Sequence, residues 1–170
     1  MPTRFRTNRL RACRERRSGS QTIELIVSLP ILFFVVVGIV QYGIQTLVQQ
    51  AVTQAAQVGA REAGKGASLT NVVDAVNTML APHNITISNT AGSLTKVVLE
   101  TSDTMAMVTT TVFGDAGVTY TPPSPMLGVS EARVTVCIGL TKAPLMNALP
   151  SFGFDTTGMQ FEISSLVKKE

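Results

Sequence analysis

The sequence predicts an α+β protein in which a long N-terminal transmembrane helix continues into a small domain of one helix packed on an antiparallel sheet. Three observations carry that prediction. The run Leu25–Val40 reads LIVSLPILFFVVVGIV, and no charged residue falls between Leu25 and Ala60. One amphipathic stretch follows at Leu69–Leu80, with apolar residues three and four apart. Beyond Pro82 the apolar residues alternate with a period of two, in short runs separated by Gly, Pro, Asn and Ser.

Composition agrees with a partly lipid-embedded chain. Of 170 residues 45% are hydrophobic and only 15% are charged, there is no Trp, and the mean hydropathy is +0.28. The net charge of +3 is a property of the first residues. Seven arginines (4, 6, 9, 11, 14, 16 and 17) face only Glu15 there, while the rest of the chain holds seven basic and ten acidic residues. An arginine run can be a nucleic-acid arm. Here it abuts an apolar segment, and cations flanking such a segment mark its cytoplasmic side. Lipid is therefore the expected partner, and nucleic acid is not.

The elements follow in order. Residues 1–19 form a basic leader. Residues 20–44 form the transmembrane helix: Ile23–Ile44 is 22 residues, and at a rise of about 1.5 Å each it spans roughly 33 Å, enough for a hydrocarbon core of about 30 Å. A cleaved secretory signal would have a shorter apolar run followed by a small-residue site, and the twin Arg16-Arg17 lacks the apolar residues that twin-arginine export needs directly after it. Pro30 removes a backbone donor inside the segment and predicts a bend, with Ser28 near enough to serve the freed carbonyl.

Residues 45–66 continue the helix outside the bilayer. Ile44, Leu47, Val48, Ala51, Val52, Ala55 and Val58 form its expected packing stripe, and glutamines occupy the other side. The helix, expected over about Ile23–Arg61, should stop in the stretch holding Gly59, Gly64 and Gly66.

Residues 67–170 form the exported domain. Ser68 is the expected N-cap of a helix over Leu69–Leu80, with Leu69, Val72, Val73, Val76 and Leu80 on its packing face and Pro82 as its stop. Strands are expected at Asn84–Ser88, Thr95–Thr101, Met105–Phe113, Glu131–Lys142 and Met159–Val167, joined by loops at Thr119–Pro125 and Pro144–Gly158. The fourth strand places Ala132, Val134, Val136, Ile138 and Leu140 on one face and Glu131, Arg133, Thr135 and Thr141 on the other. An antiparallel sheet laid on the helix buries the apolar faces of both.

Catalytic patterns are missing from the sequence. The single His83 lies in Ala-Pro-His-Asn as an exposed loop residue, without a Cys or second His to share a metal. No G-x-S-x-G, phosphate-cradling glycine loop or H-E-x-x-H occurs. Met105-Ala106-Met107 reads as core filling, and Cys137 as a small apolar packing residue that Cys13, across the membrane segment, cannot reach. The expectation is no enzyme, no catalytic residue, no metal and no cofactor.

Glu24 is the anomaly, because a carboxylate at the centre of a membrane helix costs roughly 2.5–3.5 kcal/mol and less near the interface. An interfacial acid paired with Arg16 or Arg17 would account for it. Its surroundings offer more: in Arg16-Arg17-Ser18-Gly19-Ser20-Gln21-Thr22-Ile23-Glu24-Leu25, the glutamate is the fifth residue after a glycine. This resembles the type IV prepilin processing site, cut after the glycine by an inner-membrane aspartyl peptidase. With Leu29-Pro30, Gly38, Tyr42-Gly43, Ala55-Ala56 and Gly59–Ala63, the segment is similar to the TadE-like pseudopilins of tight-adherence (Flp-type) pilus systems. The resemblance is strongest over residues 16–64, and Leu25 departs from the aromatic residue that the family often places after the glutamate.

The resemblance implies a minor pilin acting in pilus assembly, with cleavage between Gly19 and Ser20 and intersubunit pairing by Glu24. Its implied partners are a prepilin peptidase, other pilins and pseudopilins, and the inner-membrane pilus assembly platform. The implied location is the bacterial inner membrane, single-pass, with the N-terminus cytoplasmic and the domain periplasmic or carried into a surface pilus. The alternatives are an uncleaved single-pass scaffold or binding protein with a periplasmic domain, and an anchored periplasmic enzyme, which would need an acid/base cluster.

Overall fold

The computed structural model describes residues 7–142, 153 and 158–170, with backbone alone for 7–20 and 142. Six main elements occur: α1 (Thr7–Gly64), α2 (Leu69–Leu80), β1 (Thr95–Ser102), β2 (Val108–Gly114), β3 (Glu131–Gly139) and β4 (Gln160–Lys168). The chain divides into two compact units, residues 1–43 and 44–170.

In the first unit α1 is already helical at Thr7, the first described residue, well before Ile23. Nothing between Thr7 and Ile23 is a proline, so once the apolar run is helical each preceding residue adds a hydrogen bond without a new nucleation cost. Its large apolar side chains stand outward, Ile23, Leu32 and Ile39 each being at least 66% exposed.

The second unit is built on the second part of α1. The residues it buries are Val48, Ala51, Val52, Ala55, Ala56, Ala60 and Ala63. The stripe is therefore rotated from the expected one: Leu47 is 58% exposed, and Val58 is only half-buried. Alanine predominates because the neighbours approach closely. Gly59 does not stop the helix; it lies inside α1 at the tightest contact, where a Cβ would stand 2.9 Å from Val76 Cγ2 and 3.2 Å from Val134 Cγ1. The exit comes later, at Gly66, whose φ of +77° suits glycine.

Helix α2 matches its expected bounds. Ser68 caps it, its Oγ accepting from the Asn71 N–H, and Val72, Val73, Val76 and Leu80 are buried. Pro82 stands in a single 3-10 turn, Ala81–His83, that closes the helix. His83 is half-buried there rather than fully exposed.

The sheet has the order β2-β1-β3-β4, antiparallel throughout. Its helix-facing side joins Val97 and Leu99 of β1 with Ala132, Val134, Val136 and Ile138 of β3 in one core with α1 and α2. Phe113, Phe161, Ile163 and Val167 close that core at its margins. Burying each such Val or Leu side chain contributes about 1.5–3 kcal/mol.

Four strand expectations are corrected. Asn84–Ser88 is not a strand, although Ile85 and Ile87 are buried in alternation. Its backbone is served by side chains instead: Asn77 Oδ1 accepts from the Ile87 N–H at 2.7 Å, and Thr95 Oγ1 donates to the Thr86 carbonyl at 3.2 Å. β2 begins at Val108, and Met105 (84% exposed) and Met107 (73%) lie in the turn before it and fill no core. β3 ends at Gly139, where a 3-10 turn, Leu140–Lys142, takes over. β4 runs one residue later than expected at each end. The Thr119–Pro125 loop is as expected, whereas most of the expected Pro144–Gly158 loop lies outside the described residues.

The segment 115–130, between β2 and β3, covers the sheet face opposite the helices. Val118 and Leu127 are buried, the Lys96 ammonium donates to the Val118 carbonyl, and Gln160 Nε2 donates to the Thr119 carbonyl at 2.9 Å. β1 and β3 are thus buried on both faces.

Candidate functional site

The sequence assigned function to the N-terminal helix, and α1 supplies the geometry. Its part from Gln21 onward contains an 18-residue window of mean hydropathy 2.8, long and apolar enough to cross a membrane. Phe33 and Phe34 meet edge to face, ring centroids 6.3 Å apart. The length and composition of this part of α1 suit a membrane anchor.

Gly19 and Ser20 have helical backbone within α1, but their surroundings, like the side chains of the seven arginines, lie outside the described residues. Glu24 is exposed one helical turn beyond Ser20. Pro30 is included in an unbroken α1. The carbonyl it frees is that of Ile26, whereas the Ser28 hydroxyl donates to the Leu25 carbonyl at 3.2 Å. Ser28 therefore serves the neighbouring carbonyl, not the orphaned one expected from the sequence.

A second polar constellation, absent from the sequence reading, lies under the 115–130 segment. The Arg133 guanidinium meets Glu100 at 3.3 Å with both side chains 6% exposed. It also donates to the Pro123 carbonyl at 2.8 Å and to the Pro125 carbonyl. Tyr120 lies beside this pair, its phenol pushed well above the ordinary value by burial and then by the Glu100 carboxylate. The signal was present in the sequence: Glu100 and Arg133 stand among the valines of two strands, and a charge buried there requires a partner. The arrangement ties a loop to a sheet. Cys137, on the same face, has its thiol pushed up to about 12 by burial first and by Glu162 second, which keeps it protonated and unreactive. Among the described residues no group of three or more His, Cys, Asp or Glu could hold a metal.

Searches of curated proteins and of solved structures return no match. The family model described as TadE-like protein matches residues 19–61. That interval begins at the glycine of the prepilin-like motif, takes in Glu24 and Pro30, and ends in the last turns of α1. Over residues 19–61 this chain is therefore similar to the TadE-like proteins.

Proposed function

We propose that this chain is a minor pilin of a tight-adherence (Flp-type) pilus or related secretion system, cleaved between Gly19 and Ser20 by a prepilin peptidase and acting in pilus assembly. The observation that carries the reading is Glu24 at the fifth position after Gly19, at the start of the apolar span and inside the TadE-like match. Glycine before the scissile bond lets the peptide approach catalytic carboxylates without a Cβ. The arginines hold residues 1–19 on the cytoplasmic face, so the domain faces the periplasm. Cleavage frees an amine at Ser20, and Glu24 pairs with the positive N-terminal end of a neighbouring pilin's helix in an apolar filament core. Pro30 loosens the helix for its passage from bilayer to filament. Other pilins, pseudopilins and the inner-membrane assembly platform are the partners.

The competing reading is an uncleaved anchored scaffold, favoured by the helical backbone across Gly19 and Ser20, since proteases take extended substrates. A pulse-chase experiment separates the two. Wild-type chain should convert to a shorter form only in cells holding a prepilin peptidase, and Gly19→Leu should insert but stay full length. A single unchanged size with and without peptidase overturns the proposal.

A further inference from the structure

We propose that the outer edge of β2 pairs antiparallel with the same edge of a second copy of this chain, about a two-fold axis at Thr110. The inference is independent of processing at Gly19. β2 is the end strand of the sheet, and residues 108–112 are all exposed. No strand covers that edge among the described residues.

The backbone shows which groups are unpaired. In an antiparallel strand the N–H and C=O of one residue point to the same side, and the side alternates along the chain. The Met107 carbonyl accepts from Asp103 and the Asp115 N–H donates to the Thr95 carbonyl, so odd-numbered residues face β1. Even-numbered residues face outward, as Gly114 confirms: its N–H goes away from β1 to Asn89 Oδ1 at 3.2 Å. Val108, Thr110 and Val112 therefore present the free donors and acceptors, and Asn89 marks where the free edge ends.

The side chains are self-complementary. Val108-Thr109-Thr110-Thr111-Val112 reads the same in both directions, flanked by Met107 and Phe113. A two-fold axis at Thr110 sets Thr110 against Thr110, Val108 against Val112, Thr109 against Thr111 and Met107 against Phe113. Each is a favourable β-branched or apolar cross-strand pair, and no charge opposes the approach. Parity is also satisfied, since this register pairs even with even residues and so joins all three outward-facing pairs on both chains. Such an interface is isologous and closes at two copies.

The opposite edge of the sheet contrasts with this one. β4 carries Glu162 and Lys168 and is followed by Lys169 and Glu170, the kind of charge that blunts an edge against pairing. β2 has no charge and no proline over its seven residues.

Single cysteines in the full-length chain, in its membrane and with Cys13→Ser and Cys137→Ala, test the register. Thr110→Cys should oxidise to a covalent dimer, since opposed Cα atoms about 5.5 Å apart lie within disulfide reach. Thr109→Cys should give at least fivefold less dimer alone, yet cross-link efficiently when co-expressed with Thr111→Cys. Thr110→Lys should abolish the Thr109–Thr111 cross-link while the domain keeps its protease resistance. Equal yields at positions 109, 110 and 111, adducts to other proteins only, or no dimer from Thr110→Cys in a protease-resistant chain would each overturn the proposal.

Discussion

Arg133 and Glu100 face each other across adjacent strands, in register and 3.3 Å apart, with the 115–130 segment folded over both. Removing one charge leaves the other buried without its counter-charge. Glu100→Ala should lower unfolding stability by about 3–5 kcal/mol, whereas Glu100→Leu with Arg133→Met should cost far less. Denaturant unfolding of the detergent-solubilised chain measures both. Equal losses in the single and double variants would show that the pair's charges are not what matters.

Gly59 allows α1 to approach α2 and β3. Alanine there gains up to about 1 kcal/mol in helix propensity, against a Cβ placed 2.9 Å from Val76 Cγ2. Gly59→Val adds more bulk and should destabilise by about 1–3 kcal/mol. Gly59→Val with Val76→Ala should recover part of the loss. Protease resistance of the domain in membranes reports the order of the three.

Asp115 couples the fold to acid. Its carboxylate accepts from the N–H groups of Gly117 at 2.9 Å and Leu94 at 3.0 Å, and these bonds, Gly117 first, hold its pKa below the ordinary 3.8. A depressed folded pKa contributes stability that is fully present above the unfolded value and is lost as pH falls through the folded one. Asp115→Asn should therefore be less stable than wild type near pH 7, and the difference should shrink below about pH 3.8. Thermal melts at pH 7 and pH 3 compare the two; a gap that widens in acid would contradict the assignment.

How far the fold was legible depended on where each residue's partners lie along the chain. α2 was readable to the residue because its cap Ser68, its apolar spacing and its stop at Pro82 are all local. β3 was readable from its two-residue alternation, but the burial of its second face was not, because the cover comes from a segment with little periodicity. The same alternation at Ile85 and Ile87 misled, since Asn77 and Thr95 take the backbone bonds that a neighbouring strand would have taken. The stretch Gly59–Gly66 read as the end of the helix, and α1 does end there at Gly64, but the tight packing of Gly59 was not legible because its neighbours, Val76 and Val134, are distant in sequence. At the candidate site the motif Gly19–Glu24 was fully visible, being a pattern of consecutive residues.

Glu24 should matter for assembly and not for insertion. Glu24→Gln keeps the size and hydrogen bonding of the side chain while removing its charge, so the variant should insert and be cleaved as before. Co-purification with pilus components and piliation should fall sharply. An interfacial anchor would instead make the change neutral or slightly favourable for insertion, and wild-type piliation would leave Glu24 without an assembly role.

The N-terminus of the chain recovered from native membranes tests the central claim most directly. Sequencing should read Ser-Gln-Thr-Ile-Glu, which places the cut after Gly19 and Glu24 at the fifth mature position. Recovery of the intact arginine leader as the only form would contradict it.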